Sequence, residues 1–293
     1  MAYFLKKKGK NEYGFGPWRQ AWLTFRKSKT AMIGLFLFVG IVFVAVFADK
    51  IAPYGYDDQN LARRFTSPGK EFLFGTDNFG RDIFSRVILG SRYSLVIGAV
   101  AMSLSCVIGT ILGAIAGFYN EVIDNVIMRF IDLLMAIPNI LLAISIIAVL
   151  GNGVQNVILA VGIAAVPAYA RIIRATVLSI KEQEYIEAAT CIGSSKLRTL
   201  FRHVIPNCLA PIIVQMALSV STAILSASSL SFIGLGITPP LPEWGAMLSN
   251  GRPYIRDYTW IVTFPGLAIM VVIFALNLMG DGLRDALDPR LKR

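Results

Sequence analysis

Six apolar windows run through this chain, roughly Met32 to Ala48, Leu95 to Phe118, Leu133 to Leu150, Val154 to Ile172, Pro211 to Leu235 and Trp260 to Met279. Each approaches the ~20 residues a helix needs to cross the ~30 Å hydrocarbon layer of a bilayer. With 55% hydrophobic and 16% charged residues and a mean hydropathy of +0.63, the chain carries more apolar surface than one soluble core can enclose. Inside lipid the backbone must satisfy its own polar groups, so the windows are expected to be helices. The fold class expected is all-α, a polytopic membrane protein with six transmembrane helices. A long basic and aromatic segment precedes the first window and no small-residue cleavage site follows it, so that window is expected to stay as an anchor.

Basic residues set the orientation, because cytoplasmic loops keep Lys and Arg. They gather at Lys6, Lys7, Lys8, Lys10, Arg19, Arg26, Lys27 and Lys29, at Arg171, Arg174, Lys181, Lys196, Arg198 and Arg202, and at Arg284, Arg290, Lys292 and Arg293. Both termini and the polar segment before the fifth window are therefore expected in the cytosol. The segment from Lys50 to Arg92 lies outside under this topology; its Asp49, Asp57, Asp58, Glu71, Asp77 and Asp82 nearly balance its cations. The net charge of +10 sits in membrane-flanking loops with no soluble module to present it, which favours lipid headgroups and excludes a nucleic-acid partner. Cys106, Cys191 and Cys208 imply neither a disulfide framework nor, with His203 the only histidine, a zinc site.

The segmentation expected is a cytosolic tail with an interfacial helix (1–29), a first span (30–50), an extracytoplasmic segment (51–92), a five-helix core (93–280) and a cytosolic tail (281–293). Trp18, Trp22 and Phe25 share helical spacing, with Arg19, Arg26 and Lys27 on other faces. That pattern suits a helix in the headgroup layer, the alternative being a plain extension of the first span. After Gly80, Ile83, Phe84, Val87 and Ile88 outline a short helix that Gly90 is expected to stop, with Ser91 capping the second span. Asp77 and Asp82 lack the ligand alternation of a calcium loop, so capping and pairing with Arg81 or Arg86 is expected. Gly109, Gly113 and Gly117 bare one helix face, the mark of a packing seam.

Arg129 and Asp132 are three apart and are expected to pair on one helix face. At that depth a structural ion pair outweighs a direct substrate contact. Pro138 and Pro167 each remove a backbone donor and are expected to kink a span, which makes Pro138 a gate candidate. Ser226, Ser228, Ser229 and Ser231 crowd the end of the fifth span. They fit a wet translocation path or a tight helix interface. Pro239, Pro240 and Pro242 then end regular structure, and Trp244 suits a membrane–water interface.

From Tyr185 to Asn207 the chain is polar between two apolar stretches. Its side chains favour helix up to Ile192, Gly193 supplies the positive backbone angle that ends a helix, and Ser194 or Ser195 can cap the next, which is expected to end at Pro206. Two short helices then form a charged knob facing water. Glu187-Ala188-Ala189, Gly193 four positions on, and Ile205-Pro206 further on resemble the EAA signature of permease subunits of binding-protein-dependent ABC importers. The block from Gly75 to Leu95, the stretch from Ser226 to Tyr254 and the tail from Asn277 resemble the dipeptide, oligopeptide and nickel branch of that family. His203 stands where many members have isoleucine, but Arg202-His203 recurs in peptide-importer relatives.

That resemblance implies a type I ABC importer permease fold in a bacterial or archaeal cytoplasmic membrane. It implies a coupling loop over 181–206, with Glu184, Glu187, Ala188, Ala189, Gly193, Arg198, His203 and Pro206 seated on an ATPase subunit. Its partners would be a second homologous permease, two ATPase subunits, an extracytoplasmic substrate-binding protein and membrane lipids. Asp77, Arg81, Asp82 and Trp244 would be candidates for outer-face docking, and Arg129, Asp132, Pro138, Ser228 and Ser229 for the gate or pathway. Peptide is the expected cargo; relatives also carry nickel chelates, glutathione or opines.

No GxxxxGK followed by Ser or Thr occurs: Gly9-Lys10-Asn11 and Gly69-Lys70-Glu71 both fail. ATP and Mg are therefore expected on the partner subunits, with no cofactor, metal or catalytic residue in this chain. An ion-coupled secondary transporter is the competing class, but it needs buried carboxylates for the coupling ion, and Asp132 is nearly the only candidate.

Overall fold

A computed structural model describes residues 17–287. Twelve helices follow in order: α1 Pro17–Lys27, α2 Lys29–Val46, α3 Ala48–Ile51, α4 Ile83–Phe118, α5 Glu121–Met135, α6 Asn139–Leu150, α7 Val154–Lys181, α8 Glu184–Cys191, α9 Lys196–Thr199, α10 Ile205–Phe232, α11 Trp244–Gly251 and α12 Trp260–Leu287. Among the described residues, α2, α4, α7, α12 and the helix running from Lys196 to Phe232 are each long and apolar enough to cross a membrane. The bent pair α5 and α6 passes the same test only when its two helices are taken together, which gives six crossings if the pair is one span and five if it is a re-entrant loop. The four expected segment boundaries, 29/30, 50/51, 92/93 and 280/281, fall inside α2, α3, α4 and α12. The basic residues of the first sixteen positions, and Arg290, Lys292 and Arg293, lie outside the described residues.

Ser28 separates α1 from α2, its hydroxyl accepting the Ala31 amide at 3.3 Å. The aromatic face expected on α1 is divided: Phe25 and Ala21 are buried with Ala31 and Ala286, while Trp18 and Trp22 are about half exposed. The helix is thus docked on the end of α12.

Gly90 does not stop a short helix. α4 continues through it for 36 residues, since one helical glycine costs only about 1 kcal/mol. The missing side chain instead makes room for the Pro242 carbonyl, which a Cβ at Gly90 would strike. Asp82 caps α4 by accepting the Ser85 amide at 2.8 Å. Segment 52–82 folds over the neighbouring end of α12: Phe65 stacks on Tyr258 at 4.1 Å, Phe74 stacks on Phe264 at 3.9 Å, and Trp260 Nε1 donates to the Thr76 carbonyl at 3.2 Å.

The third apolar window is broken into two helices, not kinked. Its two halves, α5 and α6, meet at 89°, and Pro138, with extended backbone at φ −52 and ψ 133, starts the second. Proline disfavours helical backbone in the residue before it and cannot donate to the preceding turn. Pro167 has the same defect yet stays within α7, because over half of that helix's apolar window is buried between neighbours that hold both sides in line. α5, by contrast, buries only Ile131.

The glycine seam faces α7 of the same chain. A side chain at Gly109 would meet Tyr169, one at Gly113 would meet Ala170 and Arg174, and one at Gly117 would meet Arg174 and Val177. Ser105 continues the line by donating to the Gly162 carbonyl at 2.5 Å. Residues from α4, α6, α7 and α10 form one core cluster around Ile97, Met102, Val157 and Leu230. A second, around Ile83, Trp244 and Val272, joins α4, α10, α11 and α12.

Candidate coupling loop and membrane pathway

The knob is built as a Schellman turn followed by a capped helix. At the end of α8, the Ser194 amide donates to the Ala189 carbonyl at 3.0 Å and the Gly193 amide to the Thr190 carbonyl at 3.0 Å. Gly193 sits at φ 85, in the left-handed region that costs other residues about 1–2 kcal/mol. Ser195 caps α9, accepting the Arg198 amide at 3.4 Å. The second helix does not end at Pro206. α9 passes through a π segment, Leu200–Val204, directly into α10, where Pro206 occupies the first turn. Proline is tolerated there because its missing N–H falls at a local helix start.

Ile186, Leu200, Val204 and Cys208 form an inner face packed on Ile173 and Val177 of α7, and Ala189 is buried as well. Glu184, Glu187, Ala188, Arg198 and Pro206 are exposed and His203 is half-buried. The outer face is not simply charged. Ile192 (86% exposed), Leu197 (60%) and Phe201 (64%) stand out around Gly193. The sequence reading passed over these three, although large apolar residues in a polar loop are themselves a signal of a buried contact.

Arg129 and Asp132 are not the pair expected. Asp132 Oδ1 instead accepts Nη2 of Arg171 on α7 at 2.6 Å. A second bridge joins the same two helices: Arg174 donates through Nε and Nη2 to both oxygens of Asp124, each at 2.5 Å. The partners lie fifty and thirty-nine positions apart in sequence, which is why spacing along one helix did not find them.

Residues 109–293 match the family described as binding-protein-dependent transport system inner membrane component. The chain belongs to this family. Residues 16–68 also match the N-terminal TM domain of oligopeptide transport permease C. Among curated relatives, the permease is 46% identical over 276 residues to the dipeptide transport system permease protein DppC of Alkalihalophilus pseudofirmus, covering 94% of this chain and 91% of that one. It is 45% identical to the di/tripeptide transport system permease protein DppC of Pseudomonas aeruginosa, covering 94% and 93%. To the glutathione transport system permease protein GsiD of Escherichia coli it is also 45% identical, covering 94% and 91%. An inward-facing structure of the MetNI methionine ABC transporter aligns with TM-score 0.58 at 18% identity, covering 69% of this chain and 96% of that one. The permease therefore shares the type I importer fold.

In the permease the four outer-face docking candidates are buried. Asp77 accepts Arg81 Nε at 2.7 Å and lies 3.9 Å from Arg86 Nε, which is the pairing expected of it. Asp82 holds the α4 cap. Arg86 donates to the carbonyls of Tyr56 and Pro240, tying segment 52–82 to the proline stretch. Trp244 is packed inside the protein: it is 2% exposed, and its Nε1 donates to the Val87 carbonyl at 3.0 Å.

The members of the serine cluster differ in their contacts. Ser228 belongs to the tight interface, its hydroxyl donating to Glu243 Oε1 at 3.2 Å, and Ser231 accepts the Ile237 amide at 3.3 Å. Ser229 is half-buried and donates to the Leu225 carbonyl at 2.8 Å, whereas Ser226 lines a cavity. Glu243, absent from the sequence reading, caps α11 by accepting the amides of Gly245 and Ala246, each at 2.8 Å. Burial pushes its carboxyl up from the ordinary value, and those two amides pull it partly back.

Proposed function

We propose that this permease is one half of the membrane channel of an ATP-driven importer of small peptides. The observation that carries the reading is 45–46% identity to dipeptide and di/tripeptide permeases along 94% of the chain. A second homologous permease completes the channel, two ATPase subunits dock from the cytosol, and a binding protein delivers cargo from outside. ATP and Mg belong to the ATPase subunits. The basic residues that flank the knob support placing it, and both termini, in the cytosol, and Trp18 and Trp22 suit the headgroup layer.

The knob is fitted to transmit force. Its apolar tip, Ile192, Leu197 and Phe201, inside a rim of Glu184, Glu187 and Arg198, is the composition of an interface core with a polar border. Only residues 182 and 183 separate α7 from α8, and α9 runs unbroken into α10. A displacement of the knob therefore reaches two spans at once. ATP-driven approach of the ATPase subunits would bias these spans between two arrangements, the chain contributing a bistable element and no chemistry.

Glutathione import is the second reading, favoured by the equal 45% identity to GsiD. The test is uptake into proteoliposomes holding the assembled complex, with labelled alanyl-alanine and with glutathione. Saturable, ATP-dependent dipeptide uptake is expected. Glutathione uptake alone selects the second reading, and ATP-independent uptake driven by an ion gradient rejects both.

A further inference from the structure

A cavity of about 200 Å³ lies among α4, α6, α7 and α10. No Asp, Glu, Lys or Arg lines it, yet it is not apolar: Asn139 comes from α6, Tyr169 from α7, and Gln215, Ser219, Thr222 and Ser226 from α10. The α10 residues follow the spacing i, i+4, i+7, i+11, so they form one polar stripe on an otherwise apolar membrane helix. Gln215 Nε2 donates to Ser219 Oγ at 3.0 Å, and Thr222 Oγ1 donates to the Ser219 carbonyl at 2.8 Å. Tyr169 is 1% exposed, and its hydroxyl, which faces Ser219, makes no hydrogen bond within the distance and angle limits of one. A buried hydroxyl left unpaired destabilises a fold, and phenylalanine would fill the same space without that cost. Packing alone does not account for this oxygen.

We propose that the cavity is a substrate contact in the translocation path, where Tyr169 and Gln215 hydrogen-bond the backbone amide of a peptide in transit. The inference rests on the peptide reading above. A peptide unit presents one acceptor and one donor; the Tyr169 O–H supplies the donor for its C=O, and the Gln215 side-chain carbonyl the acceptor for its N–H. With no charged group in the lining, the contact ignores the cargo's side-chain charges. At about 200 Å³ the cavity falls below the roughly 300–1,000 Å³ that encloses a drug-sized ligand. It therefore holds one peptide unit and not a whole substrate, as passage requires: a conducting site must bind well enough to admit cargo and weakly enough to release it. Asn139, on its rim, is the first residue after the Pro138 break, so a change in the α5–α6 angle reshapes the site.

The test uses the complete importer in proteoliposomes, with binding protein preloaded to equal occupancy with trialanine or with trialanine N-methylated at both of its peptide nitrogens. The wild type is expected to import trialanine about tenfold faster than the analogue, the ratio one hydrogen bond of about 1.4 kcal/mol supplies. Gln215→Leu removes the acceptor for the peptide N–H and should bring trialanine down to the rate of the analogue, whereas Tyr169→Phe, which loses the bond to a C=O that both cargoes keep, should slow both and leave their ratio near ~10. Co-purification of the ATPase subunits and an unfolding midpoint verify that each variant is assembled; if Gln215→Leu is not, Tyr169→Phe, which removes one oxygen, decides the matter through the rates of both cargoes. An unchanged ratio in an importing Gln215→Leu variant, or unchanged rates for both cargoes in Tyr169→Phe, overturns the contact and leaves the peptide reading standing. A wild-type complex that imports neither tripeptide overturns both.

Discussion

The Arg174 guanidinium holds the Asp124 carboxylate with two parallel hydrogen bonds of 2.5 Å, and one turn away Arg171 reaches Asp132 at 2.6 Å. Because α5 buries only Ile131, these two bridges are the specific ties between it and α7. α7 leads into the knob, so the bridges tie α5 to the helix that carries it.

The two bridges differ in burial, and that sets their worth. Arg174 and Asp124 are 31% and 18% exposed, Arg171 and Asp132 51% and 54%. Asp124→Asn removes a charge-assisted pair and is expected to cost about 1.5–3 kcal/mol. Asp132→Asn should cost at most about 1 kcal/mol. Unfolding midpoints in detergent check this, and equal shifts for the two variants would show that burial does not rank them.

Gly193 has no atom within 4 Å of where a Cβ would stand, so its requirement is the backbone angle alone. Gly193→Val is expected to strain the turn by about 1–2 kcal/mol and to leave membrane insertion intact. Transport-coupled ATP turnover in the assembled complex should be lost, as it should in Glu187→Lys. Replacing Phe201 by Ser should weaken co-purification of the ATPase subunit. Full coupled transport in all three variants would contradict the role assigned to the knob.

The spans were legible because lipid leaves the backbone no alternative to a helix, and apolar length is a property of composition. The knob was legible because Gly193 and Ser195 act locally on their own turn. What the sequence concealed depends on distance. Asp132 was matched to its helical neighbour Arg129 because spacing measures only one helix, whereas its partner Arg171 is brought in by the fold. Trp244 was assigned to an interface on residue type, but its place was decided by Gly90, which lets the Pro242 carbonyl approach α4 and draws the ring in after it. Pro138 and Pro167 have identical chemistry and opposite outcomes, set by how tightly each helix is held.

The α4–α7 seam predicts a position-specific sensitivity. Gly113 faces the backbone of Ala170 and Arg174, which cannot rotate aside, so Gly113→Leu must push two spans apart. An overpacking cost of about 1–3 kcal/mol is expected, while Gly40→Leu, where no atom lies within 4 Å, should be nearly neutral. Detergent unfolding of the two variants decides it, and similar midpoints would rule out the seam as a close backbone contact.

Glu243 gives the permease a pH dependence whose sign follows from its burial. The carboxyl's affinity for its proton is raised above the ordinary value of 4.5 by desolvation, so the native state binds that proton more tightly than the unfolded chain does. Its contribution is fully favourable below 4.5 and is lost as pH rises from 4.5 toward the raised native value. Glu243→Gln keeps a side-chain oxygen for the Gly245 or Ala246 amide and cannot titrate. Its cap is weaker by a constant amount, so the variant should start less stable at about pH 4 and close the gap, or overtake the wild type, by about pH 8. Unfolding midpoints across that range that stay parallel would mean that the carboxyl is not desolvated as its 1% exposure requires.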